Sequence, residues 1–524
     1  MNRILSRANK KISLGSAAML LASASLLGTV LGILRTKLIN ANFINFESDA
    51  YFAAFKIPDF VFFTLASGAL GVAFLPILSE RLAKNKQSAW EVASYILNAL
   101  AIVGFLAAVL IMIFAEPLLR YIVAPGFTPE QLNLSVAIMR IVSVNVFLFS
   151  ISTVLTTVQQ ATGRFFFFAV APLFYNSAII ASIYIFGDRF GIVGLSLGVA
   201  LGAILQLLVV ALGMVGLNFR YRPRVDFKNK SFREVLRILP ARSVDQGIDN
   251  INSIVETRFA SHLPVGSVTN YENALVLYNA PVMLIGNAIS TAAFPRLTMR
   301  LAQGRVDLFR KEFLRVLRTM IWIALPVVVV SFFARGYLAR IIFARSNRDI
   351  AMIFGFLCAA IFFRILYTII SRYFYAHKDT KTPLYVSIFI IFLNILLAYH
   401  LSKPSAYGVI GLAMAQSIVA AAEVLILLSI MIKRDHKLFD REFLTAVAKI
   451  LSVTGFSALA AYITVQFFPL SLYDQGIVLL FRIMLIAFVT FAAHTGVSYA
   501  FELEEAKTVV ERFRRIVFRP IRIE

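Results

Sequence analysis

The sequence predicts an all-α polytopic membrane protein with about 14 transmembrane helices, in two parallel-repeat six-helix lobes plus a C-terminal helix pair. Three observations predict this fold. First, 59% of the 524 residues are hydrophobic and 15% are charged, with a mean hydropathy of +0.80; a soluble core does not need so much apolar surface. Second, apolar segments of about 20 residues, long enough to cross a bilayer as helices, recur along the chain. Third, the chain contains an internal repeat.

The predicted transmembrane helices follow one another with polar loops between them. They span residues 15–40, 49–79, 91–115, 134–159, 164–186, 190–217, 233–262, 270–299, 311–334, 349–375, 382–402, 407–432, 443–468 and 477–501. Loops on the same side of the membrane as the N-terminus, such as "NFRYRPRVDFKNKSFR", carry far more Lys and Arg than loops on the opposite side. The positive-inside rule therefore predicts that both termini are cytoplasmic. We interpret the basic N-terminus as a tail, because no small-residue cleavage site follows its apolar run.

Two pairs of similar segments define the repeat. "FLPILSERLA" (74–83) resembles "AFPRLTMRLA" (293–302), and "GIVGLSLGVA" (191–200) resembles "GVIGLAMAQS" (408–417), at offsets of 219 and 217 residues. Six helices separate the members of each pair, so both copies cross the membrane in the same direction, as in some transporters. The predicted divisions are a basic N-terminus (1–14), an N-lobe (15–222), a C-lobe (223–436), an extra helix pair (437–501) and a basic cytoplasmic tail (502–524).

The first two helices contain charges where lipid would disfavour them. Arg35 and Lys37 lie in helix 1, and Asp49 and Lys56 lie seven residues apart, hence on one face, in helix 2. Such residues usually pair or face a water-filled cavity. The alternatives are that Arg35 and Lys37 snorkel to the outer headgroups, that Asp49 caps a helix, and that Lys56 pairs with an acid.

Helix 7 has a continuous polar stripe. Its members are spaced by 3, 4, 3 and 4 residues and are Arg242, Asp245, Asp249, Asn252 and Glu256. This spacing places all five side chains on one face of a helix. Because they cannot all point at acyl chains, we predict that they line a water-filled path or pair across the bundle, the second alternative being purely structural.

The sequence excludes several other functions. There is no Walker A loop and no GxSxG elbow, which argues against an ATPase and against an enzyme of that kind. The five histidines are scattered, and Cys358 is the single cysteine, so we predict no metal site and no internal disulfide. The positive-inside rule explains the net charge of +23 without nucleic acid. We predict that the C-terminal tail forms a basic amphipathic helix on anionic membrane lipids.

Several segments resemble the MurJ/MviN family of lipid II flippases, within the multidrug/oligosaccharidyl-lipid/polysaccharide exporter superfamily. They are "LGILRTKL", "DAYFAAFKIPDF", "VAPGFTPEQ" (123–131), "ATGRFFFFAVAPLFYN" (161–176), "IDNINSIVETRFASHLPVGSV" (248–268) and "YFYAHKDTKTP" (373–383). The resemblance implies two six-helix lobes around a central cavity for the head of lipid II, with a groove for the polyprenyl tail at the last two helices. It also implies alternating access in the bacterial plasma membrane, for cell-wall synthesis.

The resemblance also implies a set of cavity arginines, of which this chain keeps Arg35. The other three family positions are occupied by uncharged residues, namely Thr29, Phe62 and Val276, and Asn279 stands where the family has an acid. Arginine suits pyrophosphate because it forms paired, charge-assisted hydrogen bonds. Cations that could compensate on other walls are Lys56, Arg242 and Arg258.

A coupling-ion site is left open by the sequence. Some family members bind sodium between helices 7 and 11, where this chain offers Glu256 and Asn394 but has Ala398 one turn later. We therefore expect no cofactor, with Na⁺ or H⁺ coupling open. We expect a monomer, and whether cell-wall synthesis proteins bind the tail is open.

The leading hypothesis from the sequence is a flippase that moves lipid II from the inner to the outer face of the plasma membrane. A first alternative keeps the mechanism and changes the cargo to another polyprenyl-pyrophosphate oligosaccharide, or to a cation in drug antiport. The missing arginines favour this alternative. A second alternative is a non-transporting scaffold, which would have no need of the polar stripe in helix 7.

Overall fold

Every regular element in the described part of the chain is helical. The computed structural model describes residues 14–65, 67–226, 228–343, 347–471, 474, 476–507 and 510–511. The predicted N-terminal tail up to residue 13 and the end of the basic tail from residue 512 lie outside the described residues. The described chain forms two compact units, one up to Thr269 and one from Asn270.

The first unit contains eight helices in its described part. They are α1 (Leu14–Asn42), α2 (Asn45–Leu65), α3 (Ser67–Lys84), α4 (Lys86–Pro117, continued by a π-helical turn Leu118–Val123), α5 (Pro129–Val142), α6 (Val144–Ala161), α7 (Phe166–Leu212) and α8 (Lys230–Ser261). Three of them begin at side chains that accept hydrogen bonds from the first turn: Asn85 before α4, Thr128 before α5 and Asn229 before α8. Such caps satisfy backbone N–H groups that have no partner within the helix.

Helix α8 packs on α2 and α3, inside the first unit. Near its start, Phe232 is fully buried in an apolar cluster with Phe74 and Leu78. Beside that cluster, Arg81 Nη2 donates to Ser231 Oγ at 2.6 Å. By its contacts α8 thus belongs to the first unit, whereas the repeat assigned it to the second lobe. The lobe boundary at residues 222/223 stays a prediction about the repeat.

The second unit contains the remaining described helices. They are α9 (Ser267–Pro281, continued by a π-helical turn Val282–Asn287), α10 (Ala288–Ala302), α11 (Val306–Phe333), α12 (Arg335–Ile342), α13 (Asn347–Ala376), α14 (Lys381–Leu401), α15 (Val409–Arg434), α16 (Arg441–Phe467) and α17 (Gly476–Ala500). Helix α13 packs on α11, α12 and α15, and α14 packs on α15.

The last two helices, α16 and α17, pack on each other and on α11. Polar contacts join buried parts of the three helices. Trp322 Nε1 donates to Ser498 Oγ at 2.9 Å, and Ser457 Oγ lies 2.9 Å from His494 Nδ1. Within α11, Arg318 forms an ion pair with Glu505, which is 8% exposed. The predicted extra helix pair is therefore part of the packed second unit.

The number of membrane spans differs from the sequence prediction. Eleven described helices are long and apolar enough to cross a membrane. The 47-residue helix α7 counts once, although at 1.5 Å per residue it would be about 70 Å long, more than twice the hydrocarbon thickness. Helices α2, α3 and α8 are not among these eleven, because they contain too many charged residues. The count of 14 therefore stays a prediction.

The repeat is visible in backbone geometry. Gly191 interrupts α7 with φ 56° and ψ −144°, and Gly408, at the same place in the repeat, precedes α15 with φ 56° and ψ −137°. Three residues later a second glycine approaches the preceding segment. A Cβ on Gly194 would lie 2.6 Å from the Phe186 oxygen, and one on Gly411 would lie 2.0 Å from the Leu401 oxygen. Both copies therefore use the same glycine-dependent reversal between two helices.

We expect Gly411→Ala to lower the free energy of unfolding by roughly 2–3 kcal/mol, because its methyl group would overlap a backbone carbonyl that cannot rotate away. Thermal unfolding of the detergent-solubilised protein measures the change. Gly455→Ala in α16 is the matched control, since a Cβ there meets nothing within 4 Å and should be neutral or stabilising. Equal melting temperatures for both variants would contradict the close approach.

The segment "YFYAHKDTKTP" is explained by the loop before α14. Asp379 accepts hydrogen bonds from the backbone N–H of Lys381 (3.1 Å) and Thr382 (3.0 Å), and from Arg434 Nη1 at 2.6 Å. Partial burial acts to raise the pKa of Asp379, but the hydrogen bonds from Thr382 and Arg434 outweigh burial and lower its pKa to about 2. This aspartate therefore fixes the start of α14.

Candidate functional site

Arg35 is the cation that the sequence analysis placed first, and α1 holds it against α7. Its Nη1 donates to Asn176 Oδ1 at 3.1 Å. Asn176 is oriented by its own helix, because its Nδ2 donates to the Pro172 oxygen at 3.2 Å. The Nε of Arg35 is buried and has no hydrogen-bond partner among the described residues. Arg35 is thus a partly buried guanidinium that retains an unused donor.

Further polar side chains lie near Arg35. Tyr51 of α2 and Tyr175 of α7 each interact electrostatically with its guanidinium, with Asp59 of α2 and with each other. The sequence did not predict a role in the site for Tyr51, Asp59, Tyr175 or Asn176. A signal existed, because all four lie within "DAYFAAFKIPDF" and "ATGRFFFFAVAPLFYN". The eight-residue spacing of Tyr51 and Asp59 also places them on one helix face.

Phe62 occupies the place where the family resemblance implied an arginine. Its ring lies 5.4 Å from the ring of Phe149, which lies 5.4 Å from the ring of Tyr175. These distances are typical of favourable aromatic pairs. An aromatic row therefore extends to the surroundings of Arg35, and Phe62 supplies packing in place of charge. Thr29, at another such position, donates its hydroxyl to the Ser25 oxygen of its own helix.

Lys56 connects α2 to the polar stripe of α8. Its Nζ donates to Ser253 Oγ at 2.7 Å. One residue earlier, Asn252 donates to Glu256 Oε1 at 3.2 Å, and Glu256 is only 5% exposed. The side chains of the other three stripe residues, Arg242, Asp245 and Asp249, lie outside the described part of the structure. Lys56 thus binds α8 beside the two described stripe residues, Asn252 and Glu256, and the roles predicted for the stripe stay predictions.

Asp49 lies at the start of α2 and is committed to the segment that follows α8. Its carboxylate accepts hydrogen bonds from the backbone N–H of Gly266 (2.6 Å) and Thr269 (2.7 Å) and from Thr269 Oγ1 (2.7 Å). Only 2% of the residue is exposed. This is the capping arrangement that the sequence left open as an alternative to a cavity role.

Arg258 is held at the same end of α8. Its guanidinium donates to the backbone oxygens of Tyr121 and Ile122, at the end of the π-helical turn after α4. Nearby, the Gly126 N–H in the segment "VAPGFTPEQ" donates to Ser261 Oγ at 3.2 Å. A cation at carbonyls that end a helix is electrostatically favourable. Arg258 therefore fastens α8 to the end of α4.

In the second unit, an ion pair that was not predicted from the sequence joins the buried Glu423 to the partly exposed Arg364. Arg364 Nη1 of α13 lies 3.4 Å from Glu423 Oε2 of α15, and Ser387 Oγ of α14 donates to Glu423 Oε1 at 2.9 Å. The Arg364 guanidinium also stacks over the ring of Tyr367 at 4.9 Å. Glu423, the single charged residue of the predicted span 407–432, was the available signal.

The other predicted residues of the second unit do not form a described charge cluster. Asn394 in α14 is buried, with 1% exposure, and Ala398 one turn later is fully buried. Val276 in α9 is half-buried and Asn279 is exposed. The burial of these residues does not test the sodium contacts predicted for Asn394 and Glu256, which stay predictions.

The sequence is similar to those of known proteins of one family. A family model described as "Lipid II flippase MurJ" matches residues 40–485. A probable lipid II flippase MurJ of Borreliella burgdorferi is 25% identical over 454 residues, covering 85% of this chain and 88% of that protein. One from Thermotoga maritima is 26% identical and covers 76% and 81%.

Solved structures show the same fold. A lipid II flippase MurJ in an inward closed conformation superposes with a TM-score of 0.77 at 22% identity, covering 92% of this chain and 99% of that chain. An inward-facing multidrug resistance transporter of the MATE family has a TM-score of 0.68 at 16% identity, covering 80% and 99%. With the repeat and the polar α1–α2–α7 cluster described above, the matching family model leads to one conclusion: the chain belongs to the MurJ lipid II flippase family.

Proposed function

We propose that this multi-pass membrane protein moves lipid II from the inner to the outer face of the bacterial plasma membrane by alternating access. The observation that carries the proposal is Arg35, a partly buried guanidinium that Asn176 holds in place within an apolar helix. Such a group suits a pyrophosphate, because arginine gives it charge-assisted and often bidentate hydrogen bonds. Membership in the family supports lipid II as the cargo.

The other polar groups near Arg35 have defined parts in this proposal. Asn176 orients the guanidinium, and the hydroxyl groups of Tyr51 and Tyr175 offer hydrogen bonds to cargo oxygens. Lys56, which is held by Ser253, adds a second cation to the same unit. Arg242 remains the proposed replacement for the family arginines that this chain lacks.

The energy source in this proposal is the membrane potential or a gradient of H⁺ or Na⁺. The chain has no Walker A motif, and we propose neither a cofactor nor a catalytic reaction. We propose a monomer with both termini in the cytoplasm, as the distribution of loop lysines and arginines favours. Its partners are lipid II and the surrounding membrane lipids.

We expect Arg35→Ala to slow lipid II movement at least tenfold, because one lost charge-assisted contact is worth about 1.5–3 kcal/mol. The measurement is outward movement of fluorescent lipid II in proteoliposomes, with and without an imposed membrane potential. Lys37→Ala, an exposed cation two residues away on α1, should stay within about twofold of the unchanged protein. Arg35→Lys should retain part of the rate, since it keeps the charge but loses the fork.

The contrary outcomes separate the alternatives. Movement of lipid II by Arg35→Ala at the unchanged rate would remove Arg35 from cargo binding. Failure of the unchanged protein to move lipid II, with movement of another polyprenyl-pyrophosphate oligosaccharide in the same vesicles, would overturn the choice of cargo. Movement of neither, with a correctly folded protein, would support the scaffold reading.

A further inference from the structure

A cavity of about 600 Å³ lies in the second unit, away from Arg35 and its neighbours. It is an open cavity bordered by the end of α11, the short helix α12, the start of α13 and the end of α16. Its size is within the range of small-molecule sites in proteins. The mechanism proposed above uses none of the residues that line it.

Two arginines give this cavity a positive charge. Arg335 and Arg348 both line it, together with the amides of Asn347 and Gln466, and no Asp or Glu is among the described lining residues. Arg348 is exposed and makes no hydrogen bond to any described residue. The cavity is therefore suited to an anion.

Arg335 is held in a fixed position at the cavity wall. Its Nη1 donates to the Phe332 oxygen at 2.7 Å, and its guanidinium stacks on the Phe332 ring at 4.4 Å. The stem of Arg335 packs so closely on Gly355 that an added Cβ there would lie 2.9 Å from its Cδ. A positioned guanidinium loses less conformational freedom when it binds an anion than a mobile one.

The loop on the far side of the cavity is fixed as well. Tyr337 donates its hydroxyl to the Phe468 oxygen at 2.6 Å, and Arg340 donates to the Ser471 oxygen at 2.6 Å. Gly336 allows close packing, since an added Cβ would lie 3.2 Å from Leu470. The cavity is therefore a built feature of α12 and the loop between α16 and α17.

The mouth of the cavity is apolar and exposed. Phe332, Met352, Tyr462 and Leu470 line it and are 41%, 45%, 49% and 37% exposed, respectively. In a membrane protein, aromatic side chains at the ends of spans lie at the level of the lipid headgroups. The cavity thus joins fixed cations to a surface that acyl chains can cover.

We propose that this cavity binds the phosphate headgroup of an anionic glycerophospholipid of the surrounding bilayer, with Arg335 and Arg348 contacting the phosphate and the acyl chains lying along Phe332, Met352 and Tyr462. The choice of a bilayer lipid rests on the open apolar mouth, which a free anion would leave uncovered. With both termini in the cytoplasm, the cavity lies at the external ends of its helices, so we assign the lipid to the external leaflet. This assignment rests on the topology given with the proposed function.

Native mass spectrometry of the full-length protein tests the proposal, with titration of phosphatidylglycerol, phosphatidylcholine, undecaprenyl phosphate and inorganic phosphate. We expect one phosphatidylglycerol to remain bound, at least tenfold more tightly than phosphatidylcholine. Arg335→Gln and Arg348→Gln should each weaken phosphatidylglycerol binding about tenfold, the loss typical of one charge-assisted contact. Lys403→Gln removes a cation from an exposed loop at the predicted external face and should change binding less than twofold.

Four results would overturn the proposal: equal binding of the two phospholipids, no change in either arginine variant, inorganic phosphate binding as tightly as phosphatidylglycerol, or undecaprenyl phosphate displacing it. The third would assign the cavity to a free anion and the fourth to the carrier lipid of the cargo. Arg348→Gln keeps the test decisive if Arg335→Gln fails to fold, because Arg348 has no described partner to lose. Because lipid binding is measured without transport, this proposal can be supported or overturned even if the protein does not move lipid II.

Discussion

Arg364→Met is expected to lower the free energy of unfolding by about 3 kcal/mol, the loss typical of breaking a buried ion pair from one side. The reason is the carboxylate that remains. Glu423 is 4% exposed and would keep the hydrogen bond from Ser387 but lose its cation. Glu423→Leu should cost less, because the side chain of Arg364 is 28% exposed and can keep its stacking on Tyr367.

A double-mutant cycle distinguishes the ion pair from loss of packing. Thermal and denaturant unfolding would be measured for Arg364→Met, Glu423→Leu and the double variant. The double variant should recover most of the lost stability, since an apolar pair of similar volume can replace a buried salt bridge. Arg372→Met, also on α13 and stacked on Phe294, is the control, since Arg372 forms no ion pair with any described residue. Strictly additive losses in the cycle would show that the two charges do not stabilise each other.

Asp49→Ala is expected to lower the free energy of unfolding by about 4 kcal/mol, because it leaves three buried donors unpaired. The Gly266 N–H and the N–H and hydroxyl of Thr269 all depend on this carboxylate. Each hydrogen bond to a charged group is worth about 1.5–3 kcal/mol, and unpaired buried donors add a desolvation cost. The loss should appear first as opening of the segment between α8 and α9.

Hydrogen exchange at Gly266 and Thr269, followed with the melting temperature, measures this opening. Asp49→Asn should show a smaller loss, since it keeps one carbonyl acceptor. Glu47→Ala on the same helix is the matched control; its carboxylate accepts one hydrogen bond, from the Ile44 N–H at 3.1 Å, so the expected cost is below about 1.5 kcal/mol. Unchanged exchange in Asp49→Ala would mean that other contacts hold the segment.

Much of the fold could be predicted because it depends on local properties. Apolar length predicts a membrane helix, and the repeat offset of 217 residues places Gly408 where Gly191 stands. The structure then shows the same positive φ at both glycines. The boundary inside the 47-residue helix α7 was predictable as well, because Asp188 and Arg189 form a polar break between the predicted spans 164–186 and 190–217. The structure places the non-helical Gly191 at that break.

The candidate site was predictable only in part. Arg35 stood out because a guanidinium within an apolar run is costly. Its neighbours Asn176 and Tyr175 lie about 140 residues away in α7, and nothing in the local sequence pairs them with α1. Arg364 and Glu423 illustrate the same limit, since they lie 59 residues apart in different helices and neither local sequence indicates the other.

By itself, the sequence determined that this is an all-helical membrane protein with an internal repeat and with charges on particular helix faces. Tertiary structure alone decided what those charges do. Asp49 and Lys56 share a face of α2 by their spacing, but one holds the segment after α8 and the other bonds to Ser253 within α8. Helical periodicity specifies the direction of a side chain, whereas its partner depends on which helix packs opposite, and that is set by contacts distant in sequence.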